Sequence, residues 1–183
     1  LEEAAIQQEY GSVEGVEPSR WLVQQARDRS LIVHEGVLPH EDIFGLFQTI
    51  TLVDVLEHVP DPLDLLRQAE SLLSPDGEIL VITPDLDSLA ARIMGWNWWH
   101  FRLAHIGYFN RITLTDTLVR CGLQPTQWFR PRWYFPLNYL IERINVYLPN
   151  RIRLKSPKIC AKVTIPLNTW DSWGVICRKR ERK

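Results

Sequence analysis

The stretch from Phe47 to Thr83 limits the fold more than any other part of the chain. FQTITLVDV, residues 47–55, is a continuous apolar run of strand length, the pattern of a sheet covered on both faces. DPLDLLRQAESLLSPDG follows it. Pro62 lies near its first turn, and Leu63, Leu65, Leu66, Leu72 and Leu73 are among its apolar positions, which predicts a helix closed by a turn at residues 75–77. EILVIT, residues 78–83, is a second buried strand. Strand, helix and strand on short links require a parallel pair with a right-handed crossover.

The same alternation extends outward. Residues 1–9 predict a helix with Gly11 as its stop, 12–17 a strand, 19–29 a helix capped by Ser19, and 31–35 a short buried strand. Beyond the second buried strand, LDSLAARIM begins helically and then becomes aromatic and irregular. Residues 113–122 predict a helix with a threonine start and a Gly122 stop. LQPTQWFRPRWYF is a strand limited by Pro131, PLNYLIERINVYLPN an amphipathic helix, and DSWGVICRK, 171–179, a final strand. The class is α/β. With no repeat and no long linker, residues 1–183 form one domain, carrying an aromatic region at 86–112 and a helical insertion at 134–158.

Bulk properties exclude several roles. Net charge is −1, so nothing marks the surface as nucleic-acid binding. The last seven residues are strongly basic, which reads as a solvated chain end. Cys121, Cys160 and Cys177 are far apart and odd in number, with no CxxC, so no disulfide framework or cysteine zinc site is expected. No apolar run has the ~18 residues of a membrane span, and no signal peptide is visible. A reducing, cytoplasmic setting fits. The chain starts at Leu1 within a helical pattern, so it is expected to be a fragment of a longer protein.

GVEPS, LVDVLEHVPDP, LLSPDGEILVITPD and AHIGYFNRITLTDTLVRCGL occur in this order and spacing. Together they resemble the class I S-adenosylmethionine-dependent methyltransferases, in the subgroup with an E-H-x-x-D-P segment related to ubiquinone-type O-methyltransferases. The resemblance runs from about residue 1 to about residue 179. It implies a Rossmann-like, mostly parallel sheet with one antiparallel strand near the C-terminus. It also implies that the family's first strand and glycine-rich loop precede residue 1, with that strand central, between the strands matching 12–17 and 47–55. Losing a central strand forfeits ~1 kcal/mol per hydrogen bond and ~1.5–3 kcal/mol per large apolar side chain. That approaches the ~5–15 kcal/mol stability of a domain. The chain alone is therefore expected to be unstable, or to aggregate through unpaired edges.

The resemblance implies S-adenosylmethionine as cofactor. Glu17 ends its strand where ligands bind in open α/β sheets, and it matches the ribose-binding acid, followed by Pro18; Glu14 lies inside the strand and is the wrong candidate. Val37 and Leu38 match the adenine segment, with ordinary loop hydrophobes as the alternative. Asp54 ends the central strand and would meet the ammonium group or shape the transfer mouth. Glu57 and His58 match the family's E-H pair, with structural roles equally open. The spacing of Asp54, Glu57 and His58 is no recognised ligand pattern, so no metal is expected.

His105 matches the family's H-x-x-x-F element and is the candidate base, His58 its companion; pinning a lid is the competing role of His105. GWNWWHF, 95–101, suits an apolar, aromatic or lipid-like acceptor, or core packing, and His100 reads as structural. The basic amphipathic stretch 136–155 allows contact with a membrane surface, though packing on the sheet or on a partner subunit is more ordinary.

The expected function is methyl transfer to a small-molecule acceptor by the intact protein. The alternatives are a non-catalytic, methyltransferase-like scaffold and, less favoured, an NAD-dependent dehydrogenase.

Overall fold

The computed structural model describes residues 11–145, 148–155 and 157–180. The helix expected at 1–9 lies outside the described residues. β1 (Glu14–Glu17) pairs in parallel with β2 (Ile32–Glu35), and α1 (Arg20–Arg27) connects them. The Ser19 hydroxyl accepts from Leu22 N–H and caps α1, as its position predicts. Val23 of α1 and Val33 of β2 are buried, but Ile32 and Glu35 are exposed, so β2 is not the buried strand expected.

A four-stranded sheet forms the body of the domain, in the order β3 (Phe47–Val53), β4 (Leu73–Pro84), β8 (Ser172–Lys179), β5 (Leu123–Phe129). β3 is parallel to β4, and β8 runs antiparallel to both β4 and β5. This is the mostly parallel sheet with one antiparallel C-terminal strand that the sequence predicts. Among the described residues the sheet is interrupted between the β1–β2 pair and β3. β3 consequently buries only Leu52, and Thr51 and Val53 are exposed. The expectation of cover on both faces fails because β3 is an edge strand here.

α2 (Pro62–Leu72) is capped by Asp61, whose carboxylate accepts from Asp64 N–H. The expected turn at 75–77 lies inside β4, which starts at Leu73. The pairing with β3 passes from Phe47–Leu73 to Thr49–Glu78, so residues 74–77 have no partner on β3 and the chain loops out where the turn is expected. α3 (Leu89–Met94) is capped by Ser88. α4 (Arg111–Arg120) starts two residues before the expected threonine, because Asn110 and Thr113 close a reciprocal capping box. It stops at Gly122, with φ +78°, as predicted.

Leu66 and Ala69 of α2 and Leu114 and Leu118 of α4 meet Ile79, Val81, Leu123 and Val175 of the sheet in one buried core. Phe129 crosses Gly174 so closely that a Cβ there would stand 2.4 Å from the ring. All three cysteines are free and buried, and burial pushes the Cys177 thiol up to about 12. The basic end is partly structural, since Arg178 pairs with Glu78 at 2.6 Å and Lys179 with Glu70 at 3.7 Å.

After β5 the chain breaks around Pro131 and forms a separate antiparallel pair, β6 (Trp133–Pro136) with β7 (Thr164–Leu167). α5 (Leu137–Asn145) follows β6 and packs chiefly against β6 and the turn Lys158–Lys162, so this insertion builds its own small layer. Among the described residues no helix is long and apolar enough to cross a membrane.

Candidate active site at the strand tips

The C-terminal ends of the parallel strands carry two groups of the predicted residues. The first surrounds Glu17. Its Oε1 accepts from Ser19 N–H at 2.8 Å, which holds the carboxylate at the strand-to-helix turn. Gly36 N–H donates to the Glu17 carbonyl at 3.0 Å. This bond brings the loop carrying exposed Val37 and half-buried Leu38 beside Glu17. Pro18 is exposed at the turn. Glu14, by contrast, faces His34 at 3.0 Å.

The second group starts at Asp54. Its backbone N–H donates to Ile82 O at 2.9 Å, and its φ of +51° turns the chain sharply off β3. Aspartate is among the few side chains that tolerate this left-handed region. The surrounding protein raises the Asp54 pKa by desolvation, while His100, His58 and Arg102 pull it down.

Glu57 is almost fully buried and accepts from the Thr83 hydroxyl at 3.0 Å. Burial raises its pKa, against the hydrogen bonds from its own backbone and Thr83. The Glu57 carbonyl accepts from Ile106 N–H at 2.8 Å and Gly107 N–H at 3.1 Å, so this residue also fixes the returning end of the aromatic region. His58 Nδ1 donates to Ala104 O at 2.8 Å, which leaves its Nε2 as the lone-pair nitrogen.

His105 is buried and meets His58 edge-on, with ring centroids 4.6 Å apart. Its pKa is lowered to about 4, first by burial and then by the charges of His58, Arg102 and His100. It is therefore neutral at neutral pH. His100 stacks on the other side, at 5.8 Å. Glu57, His58 and His105 each offer one donor atom within 4.8 Å of the others, so these three are the residues of the site that could hold a cation.

The aromatic stretch divides its work. Trp98 is buried, packing edge-on against Phe101 and His100. Trp96 is 91% exposed. With Phe101, Tyr108, Leu103, Arg102, Leu86 and His105 it lines an open groove of about 760 Å³. Both expected roles are thus present, on different residues.

Sequence reasoning missed Asp85 and Asp171. Asp85, at the tip of β4, is paired with Arg130 at 2.8 Å, and the Arg130 guanidinium lies 3.5 Å from the Trp173 ring centroid. Asp85 N–H donates to Asp171 O at 2.8 Å, tying β4 to the start of β8. Asp171 accepts from the Thr169 hydroxyl and lies 3.2 Å from His100 Nε2. The only signal was an acid just outside each apolar run, in TPD and in WDSWG.

The methyltransferase domain family matches residues 1–127. The ubiquinone biosynthesis O-methyltransferase of Haemophilus ducreyi is 32% identical over 75 residues, covering 37% of this chain and 32% of that protein. The enzyme of the same name from Xanthomonas euvesicatoria pv. vesicatoria is 46% identical over 39 residues, 21% of this chain and 16% of its own. The chain thus spans about a third or less of the length of these relatives.

Among solved structures, an S-adenosylmethionine dependent methyltransferase from Mesorhizobium loti superposes with a TM-score of 0.60 at 15% identity, covering 97% of this chain and 84% of that one. The CcbJ methyltransferase from Streptomyces caelestis gives 0.58 at 13%, covering 93% and 75%. The fold is therefore Rossmann-like, and with more than half of its residues matched the chain belongs to the methyltransferase domain family.

Proposed function

We propose that the intact protein transfers a methyl group from S-adenosylmethionine to a hydroxyl on an apolar or ring-bearing small molecule. The observation that carries this reading is the edge-on pair of His58 and His105 at the strand tips, with His105 in the wall of an aromatic groove. S-adenosylmethionine, when bound, supplies a methyl group on a sulfonium that is already a good leaving group. The protein then has to align, exclude water and take up a proton.

The donor set fits that cofactor. Only one carboxylate oxygen of Glu17 is engaged with Ser19, so the other would hold the ribose diol. Val37 and Leu38, pinned beside it, would flank the adenine. Asp54 would face the ammonium end. His58, with Nδ1 committed to Ala104 O, presents Nε2 as the proton acceptor. His105, held neutral with a pKa of about 4, would form the polar spot in the groove wall that orients the acceptor hydroxyl. Trp96, Phe101 and Tyr108 give the groove its apolar character. The relatives named as ubiquinone biosynthesis O-methyltransferases support oxygen as the receiving atom.

The test is release of S-adenosylhomocysteine by the full-length protein, offered catechols, simple phenols and amines. Phenolic acceptors should be methylated, His58→Gln should lower kcat at least tenfold, and His105→Gln should mainly raise the acceptor KM. Turnover of amines alone, or full activity in both variants, would overturn the assignment. Calorimetric binding of NAD in place of S-adenosylmethionine would overturn the cofactor.

A further inference from the structure

A second polar cluster lies beside the Glu17 group, at the C-terminal end of β2. We infer that His34, His40 and Asp42 form a site for one zinc-class divalent cation, which clamps the loop 36–42 onto the β1–β2 pair. One donor atom from each residue lies within 4.8 Å of the others. The pairs to Asp42 Oδ2 are 3.8 Å from His34 Nδ1 and 3.9 Å from His40 Nδ1. Tetrahedral zinc, with bonds of about 2.0–2.1 Å, holds its ligand atoms about 3.3 Å apart. The two pairs to Asp42 therefore have to close by about half an ångström, and Asp42 has 64% of its side chain exposed.

The tautomers favour the same reading. His34 Nε2 faces Glu14 Oε2 at 3.0 Å, and His40 Nε2 faces the Glu35 carbonyl at 3.2 Å. Each Nε2 thus carries the proton, and each Nδ1 turns a lone pair toward Asp42. A carboxylate or a backbone carbonyl behind each ring is the outer arrangement that orients metal-binding histidines. His40 Nδ1 at present accepts from Asp42 N–H at 3.2 Å, a long bond that the cation would replace. The backbone also leaves room for the ring, since a Cβ on Gly36 would stand 3.0 Å from His40 Cδ2. Two imidazoles and one carboxylate, with a position left for water, suit zinc, cobalt or nickel rather than magnesium.

The clamped loop carries Val37 and Leu38. Their contact with adenine rests on the function proposed above; the metal site does not. Calorimetric titration of tag-free, full-length protein with Zn²⁺, without S-adenosylmethionine, tests the site. One equivalent should bind, Mg²⁺ should not compete, and His105→Gln should retain that equivalent. His34→Gln and Asp42→Asn should abolish it with unchanged melting curves, and Glu14→Gln should weaken it about 10–100-fold. Absence of a zinc equivalent, or equal affinity in His34→Gln and Asp42→Asn, overturns the site. A second titration, of S-adenosylmethionine with and without Zn²⁺, separates the two readings. Tighter cofactor binding supports the clamp; unchanged binding leaves the cation in place but removes the adenine role of the loop.

Discussion

His100 Nε2 lies 3.2 Å from Asp171 Oδ2, and this contact joins the aromatic region to the sheet just before β8. Asp171 is almost fully buried, which alone would raise its pKa; the neighbouring His100 and Trp99 and the Thr169 hydroxyl outweigh burial and hold the carboxyl below the ordinary value. A depressed folded pKa means that the carboxylate stabilises the fold above the unfolded aspartate value, about 3.9, and ceases to do so as pH falls through the folded one. Asp171→Asn should therefore lose about 1–3 kcal/mol at pH 7, with the gap to wild type closing in acid. Thermal melts across this range decide it. Identical melting curves at pH 7 would remove Asp171 as the anchor of the aromatic region.

His105 carries the opposite sign. Its pKa falls from 6.5 to about 4 in the fold, a difference of about 2.5. Between those values the unfolded chain binds the extra proton, so stability rises with pH across that window, by about 3 kcal/mol at most. In His105→Gln this slope should flatten, while wild type weakens steadily from pH 6.5 toward 4. A variant with the wild-type slope would show that another group titrates there.

Glu17 offers a test of cofactor binding that leaves the fold intact. Glu17→Gln keeps an oxygen for Ser19 N–H but removes the charge offered to the ribose. Charge-assisted hydrogen bonds contribute about 1.5–3 kcal/mol, so the Kd for S-adenosylmethionine should rise about 10–100-fold. Calorimetry on the full-length protein measures this directly. An unchanged Kd would mean that the cofactor does not rest on β1.

The apolar runs made the body of the sheet legible, because β4 and β8 each bury residues that tolerate little else. Caps were legible where one side chain acts alone, as at Ser19. They were not where two act together, and Asn110 with Thr113 moved the start of α4. The Pro75–Gly77 turn falls inside a strand rather than before it, because Leu73 already pairs with Phe47 ahead of the irregularity. Of the site, strand-tip residues such as Glu17 and Asp54 follow from chain direction. Asp85 and Asp171 do not: each looks like a loop acid until folding sets it against Arg130 or His100, from distant parts of the chain.

The two tryptophans of the aromatic stretch should separate packing from recognition. Trp98 is fully buried against Phe101 and His100, so Trp98→Ala leaves a cavity and should cost about 3–5 kcal/mol. Trp96, 91% exposed, meets Phe101 at 5.6 Å between ring centroids, and Trp96→Ala should change stability by less than about 0.5 kcal/mol. It nevertheless forms part of the groove wall, so its loss should raise KM for an apolar acceptor while leaving cofactor affinity unchanged. Paired melts and acceptor titrations make the comparison. If Trp96→Ala leaves KM unaltered, the groove is not where the acceptor sits, and the histidines behind it lose their substrate.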